Sequence, residues 1–114
     1  MRDDVTVLCG ANAYEQKYYF NEQFSGLPDA IKDELHIIAV LFTEEIGGIF
    51  TVSFDEEGEV LLSTDADEED ILYDEIGSAL MIKEIQRKRQ ELFESLTLYY
   101  KVFVLKDTSL LLDD

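Results

Sequence analysis

Ile82, Ile85, Arg89, Leu92, Leu96, Tyr99 and Phe103 follow one another at steps of three and four. That spacing puts seven side chains on one helix face, and six of them are apolar or aromatic. No Gly or Pro interrupts the chain between Ser78 and Phe103. Fully helical, those 26 residues would span about 39 Å. A stripe of that length cannot be buried by the helix that carries it. It must lie on a sheet, on another helix or on a second copy of the chain. Leu98 to Leu105 is also β-branched and aromatic enough for a strand. The lack of a breaker favours a helix over about 78–103, with a kink expected at Gly77, which costs about 1 kcal/mol in a helix interior.

A partner for this stripe lies upstream. Ile49 to Phe54 alternates at period two, with Phe50, Val52 and Phe54 on one face. Asp55-Glu56-Glu57-Gly58 has the form of a type I turn with Gly in the left-handed position. The chain returns over about 59–64, with Val60 and Leu62 on the same apolar side. A lone hairpin is marginal in water, so its Phe-rich face is expected against a helix. A central helix is read from Pro28 at its first position, Asp29 in its first turn, and Ile31, Leu35, Ile38 and Phe42 at helical spacing. Ala39, Val40 and Leu41 widen that stripe, so its second half is expected to be buried on most sides. Gly47-Gly48 supplies the stop. Val5 to Gly10 reads as a short strand or an ordered arm, and Tyr14 to Phe24 fits a helix and an extended segment equally. The expected fold is α+β in a single domain over residues 1–114. An N-terminal arm (1–12) and the aromatic stretch that follows it lead to the central helix, the hairpin and the long C-terminal helix packed over it. The arm and the tail (106–114) are the segments expected to be mobile, the tail leucines Leu110 to Leu112 either docking or fraying.

Composition narrows the function. The chain carries 9 Lys and Arg against 26 Asp and Glu, a formal charge of −17. Charge this high favours disorder only when hydrophobicity is low, and 46% apolar residues with seven Phe and six Tyr are enough for a core. Nucleic acid and anionic membrane surfaces are disfavoured partners, because both need clustered cations. No run reaches the roughly 18 apolar residues of a membrane span. Met1-Arg2-Asp3-Asp4 lacks the features of a secretory signal, and Cys9 alone cannot close an internal disulfide, so a cytoplasmic location is expected.

The charge is unevenly placed. Eleven carboxylates and no base lie between Asp55 and Glu75. Asp65, Asp67, Glu68, Glu69 and Asp70 form an acidic connector, with Asp65 or Asp67 as a candidate helix cap. Just beyond it, Lys83, Arg87, Lys88 and Arg89 hold four of the nine bases. An EF-hand loop starting at Asp65 fails where the turn needs Gly and has Asp70, and where the bidentate ligand needs Glu and has Ile76. One Cys and one His exclude zinc sites of the usual kind. His36 lies beside the apolar stripe of the central helix and reads as structural. No nucleophile elbow, phosphate loop or dinucleotide fingerprint occurs. No catalytic, cofactor or metal residue is assigned.

Lys17-Tyr18-Tyr19-Phe20-Asn21, Leu27-Pro28, Phe42-Thr43-Glu44-Glu45-Ile46-Gly47-Gly48-Ile49, the Phe54 to Gly58 turn and Asp74-Glu75-Ile76-Gly77-Ser78 resemble an uncharacterised family. Its members are small acidic proteins of clostridial and related anaerobic gut bacteria, and the resemblance covers nearly the whole chain. It implies a bacterial cytosolic protein and carries no activity, cofactor or site residue. The expected function is a non-enzymatic interaction module. It would self-associate as a homodimer through the stripe Ile82, Ile85, Arg89, Leu92, Leu96, Tyr99 and Phe103. The acidic connector (Asp65, Asp67, Glu68, Glu69, Asp70) would meet the basic cluster (Lys83, Arg87, Lys88) of a second copy. The alternatives are an acidic decoy or partner for a basic protein surface, and a divalent-cation-binding protein or small enzyme.

Overall fold

The computed structural model describes residues 5–106. Phe50, Val52 and Phe54 are all fully or almost fully buried, as their alternation requires. They lie on β3 (Ile49–Phe54), which pairs antiparallel with β4 (Val60–Asp65). The connecting turn is closed from both sides. Asp55 N–H donates to the Glu59 carbonyl at 2.9 Å, and the Asp55 carboxylate accepts from the Glu57 and Glu59 amides. Gly58 takes φ +92°, and a Cβ there would come within 3.0 Å of the Tyr100 ring. Only Gly meets both demands.

Of the two readings of Val5 to Gly10, the short strand holds and the arm does not: the segment is an inner strand of the sheet. β1 (Thr6–Asn12) pairs antiparallel with β3 on one side and with β2 (Lys17–Phe20) on the other, giving the order β2-β1-β3-β4. A bulge between Val7 and Cys9 inserts Leu8, so Leu8 and Cys9 both face inward and both are fully buried. Asn21 secures it, with its amide bonding the Leu8 carbonyl and its side-chain nitrogen the Val7 carbonyl, each at 2.8 Å. Tyr14 to Phe24 therefore resolves as a turn, an extended strand and a short 3-10 turn (Glu22–Phe24).

Three helices cover one face of the sheet. α1 (Asp29–Glu45) packs on β1, β2 and β3 with Leu35, Ile38, Ala39 and Phe42 inward. It stops at Ile46, followed by Gly47 and Gly48, both at positive φ. Its second half is not buried all round: Ile37 and Leu41 are exposed. The C-terminal region is helical through Phe103, and the strand alternative for 98–105 is not adopted. It is two helices rather than one. α2 (Glu75–Lys88) and α3 (Gln90–Phe103) meet at Arg89, which has φ −114° and ψ 30°. Arg89 donates to the Glu34 carboxylate on α1 at 2.9 Å. The bend lets Ile85, Leu92 and Leu96 all enter one core.

The bend expected at Gly77 does not occur there. Gly77 sits in the first turn of α2, with its amide bonded to the Asp74 carboxylate at 2.8 Å. A Cβ at Gly77 would collide with that carboxylate. Asp74, rather than Asp65 or Asp67, is thus the helix cap. An aromatic cluster joins the layers. Phe42 stacks on Phe50 at 4.7 Å, and Phe54 lies 4.6 Å from Tyr100 and 5.4 Å from Phe24. Each such buried Phe contributes about 1.5–3 kcal/mol from burial alone. The tail expectation for Leu110 to Leu112 falls outside the described residues.

Candidate functional site

The helix stripe read as an interface belongs to the protein's own core. Ile85, Leu92 and Leu96 are buried, and Ile82 and Tyr99 pack against the same cluster. Arg89 is held by Glu34, and only Phe103 is mostly exposed, at 60%. A homodimer seam along this stripe would need side chains already used inside the monomer. The stripe's period fits a sheet-facing helix as well as a coiled coil, so sequence spacing could not separate the two.

The basic cluster is partly neutralised within the chain. Lys88 pairs with Glu84 at 2.7 Å and Arg87 approaches the same carboxylate at 3.8 Å. The Lys88 hydrogen bond and charge hold the Glu84 carboxyl below its ordinary range. Lys83 instead lines a groove together with the acidic connector. Of the basic cluster, Lys83 thus lies beside the connector of its own chain, whereas Arg87 and Lys88 line other grooves.

The connector is anchored from a distance. Tyr14, in the β1–β2 turn, donates its hydroxyl hydrogen to the Asp70 carboxylate at 2.6 Å and accepts from the Asp67 amide at 3.1 Å. The Asp70 bond, followed by partial desolvation, raises the Tyr14 phenol above its ordinary range. At the far end, Tyr73 OH donates to Ser78 Oγ (3.0 Å), and Ser78 Oγ to Thr64 Oγ1 (3.2 Å), tying the connector to α2 and β4. Among the described residues, none of Asp65, Asp67, Glu68, Glu69 and Asp70 forms an ion pair. No group of three or more His, Cys, Asp or Glu among the described residues could hold a metal ion.

What the charge pattern concealed is apolar. Ile71 (88%), Leu72 (89%), Ile76 (76%) and Leu80 (62%) project into solvent from the connector and from α2. Ile76 and Leu80 are spaced i,i+4 but lie off the buried register of Ile82 and Ile85, which is the signal that could have found them. Two grooves flank this region, with Ile71 lining the first and Leu80 the second. One, of about 810 Å³, runs between β4, the connector and α2; it is lined by five carboxylates and one base, Lys83. The other, of about 610 Å³, runs between α1 and α2 over Ile38, Leu41, Ile46, Leu80 and Met81.

One further convergence was invisible in the sequence. The single Cys and single His flank one ring: Tyr18 stacks on His36 at 4.2 Å, and its hydroxyl faces the Cys9 thiol without an ordinary hydrogen-bond partner. Burial raises the Cys9 thiol to about 11 despite Tyr18, which lowers it. A thiol that stays protonated and fully buried is a poor nucleophile.

Sheet, helix layer and connector together define a two-layer α+β domain with an acidic, apolar-studded surface at the connector and α2. The chain belongs to a family of unknown function, DUF6145, whose model matches residues 5–108. No curated protein and no solved structure matches the chain. Among the described residues, no helix is long and apolar enough to cross a membrane.

Proposed function

We propose that the protein is a non-enzymatic cytoplasmic interaction module that docks a basic, partly apolar segment of another protein on its connector–α2 face. The observation that carries this is the exposure of Ile71, Leu72, Ile76 and Leu80 on the connector and α2, next in sequence to connector carboxylates that form no ion pair among the described residues. Large apolar side chains grouped at a polar rim mark interaction sites on soluble proteins. A chain at −17 attracts cationic surfaces over a Debye length and repels its own copies, so a basic partner is favoured over a homodimer. The single buried free thiol suits a reducing compartment.

The test is site-specific photo-cross-linking in the cells that make the protein. A photoreactive residue in place of Leu72 should give discrete adducts that high salt weakens. The same residue in place of Tyr19, exposed on the opposite face of the sheet, should not. Identical adduct patterns from both positions would show that this face has no docking role.

A further inference from the structure

Among the described residues, β4 is the outermost strand of the sheet and pairs only on its β3 side. Proteins usually blunt such an edge with Lys, Pro, a bulge or brevity. The opposite edge follows that rule, since β2 has four residues and begins with Lys17. β4 does not. Val60-Leu61-Leu62-Ser63-Thr64-Asp65 contains no Lys and no Pro, and its register with β3 is regular over all six residues.

The space beside this edge is a groove. The acidic groove at the Thr64–Asp65 end reaches Ile82 and Gln86 of α2. A second groove, about 350 Å³, continues from Gln86 past Glu59, Val60 and Phe93 to Glu94. Gln86 lines both, so the two grooves adjoin at the helix layer and form a channel that meets β4 at its two ends, at Val60 and at Thr64 and Asp65.

The two sides of that channel differ in chemistry. The registry puts Val60, Leu62 and Thr64 on the helix-facing side, with Ile82 and Phe93 above them. Leu61, Ser63 and Asp65 face the other way, and Glu59 continues their alternation. An added strand with apolar residues at alternate positions would direct them at Ile82 and Phe93. Its intervening residues would lie beside Glu59 and Asp65 at the two ends.

We propose that the partner segment binds in extended form, adding a fifth strand to the free edge of β4, with apolar and basic residues in alternation. Backbone hydrogen bonds supply affinity in this mode and alternate side chains supply selectivity. Glu59 and Asp65, beside the intervening positions at the two ends, select for cations there, and Lys83 is the one base in the lining among the described residues. This rests on the docking role proposed above and specifies the form of its ligand.

The test uses a short peptide of alternating lysine and valine, titrated into the isotope-labelled protein and followed by NMR. The expected result is slowed exchange and shifted amide signals in Val60–Asp65. The same peptide with alternate backbone amides N-methylated should bind at least about tenfold more weakly, since it cannot complete the ladder. Equal affinity for the two peptides would overturn strand addition. So would shifts confined to Ile71–Leu80 with the β4 amides unmoved, although the docking face itself would then stand. An absence of any shift would overturn both.

Discussion

Leu96→Ala separates a core role for the C-terminal stripe from an interface role. Leu96 is 0% exposed and lies in the main cluster beneath the sheet. Truncating it removes three buried carbons and leaves a cavity that packed neighbours cannot close fully, at a cost of about 2–5 kcal/mol. A domain of this size has about 5–15 kcal/mol in total. With a urea slope of about 1.5 kcal/mol/M, a loss near 3 kcal/mol moves the midpoint down by about 2 M. The slope itself should not change, because the same surface is exposed on unfolding. Phe103→Ala, on the same stripe but 60% exposed, should cost no more than about 0.5 kcal/mol. Urea melts followed by circular dichroism, with light scattering on the same samples, provide the assay. If Leu96→Ala left the midpoint unchanged while altering the mass in solution, the stripe would be an interface and its assignment to the core would be wrong.

Other outcomes follow from single contacts. Cys9 binds its proton more tightly folded, at about 11, than at its ordinary 9.0, so above pH 9 the unfolded chain loses a proton that the native state keeps. Stability should therefore fall as pH rises through this window, by about 3 kcal/mol in all, and Cys9→Ala should flatten the decline measured by denaturant melts. Alkylation of Cys9 in native buffer should proceed only as fast as the protein opens; labelling at the rate of a free thiol would contradict its burial. Tyr14→Phe removes the donor to Asp70 and the acceptor for the Asp67 amide. Hydrogen exchange should accelerate at Asp67 to Tyr73 while the sheet amides keep their protection. Gly58→Ala places a side chain at φ +92° against Tyr100 and should cost about 1–3 kcal/mol, read as a lower melting midpoint.

The elements most legible in the sequence were those whose local signals agree. α1 has periodic apolar residues and a double-Gly stop. The β3–β4 hairpin has clean alternation and a turn that needs Gly58. β1 was obscured because its bulge at Leu8 breaks the alternation and its remaining inward residues, Cys9 and Ala11, are small. The division at Arg89 left no local mark, since it is fixed by a contact with Glu34 on another helix. The acidic connector was visible as charge. Its exposed apolar side chains were not, because Ile71 and Leu72 are one short pair among acids, and only the folded chain leaves Ile76 and Leu80 uncovered. The pairing of Cys9 with His36 through Tyr18 depends on a strand and a helix meeting, which spacing alone does not encode.

Charge reversal in the connector tests the docking role most directly. Glu68 and Glu69 are exposed and take part in no side-chain hydrogen bond or ion pair among the described residues, so Glu68→Lys with Glu69→Lys should leave the melting curve near that of the parent. The quantity to measure is the yield of adducts from a photoreactive residue at Leu72, with and without the reversal, at low and high salt. The predicted result is a strong, salt-sensitive yield from the parent and its loss in the reversed protein. An equal yield from both, unaffected by salt, would contradict an acidic docking face.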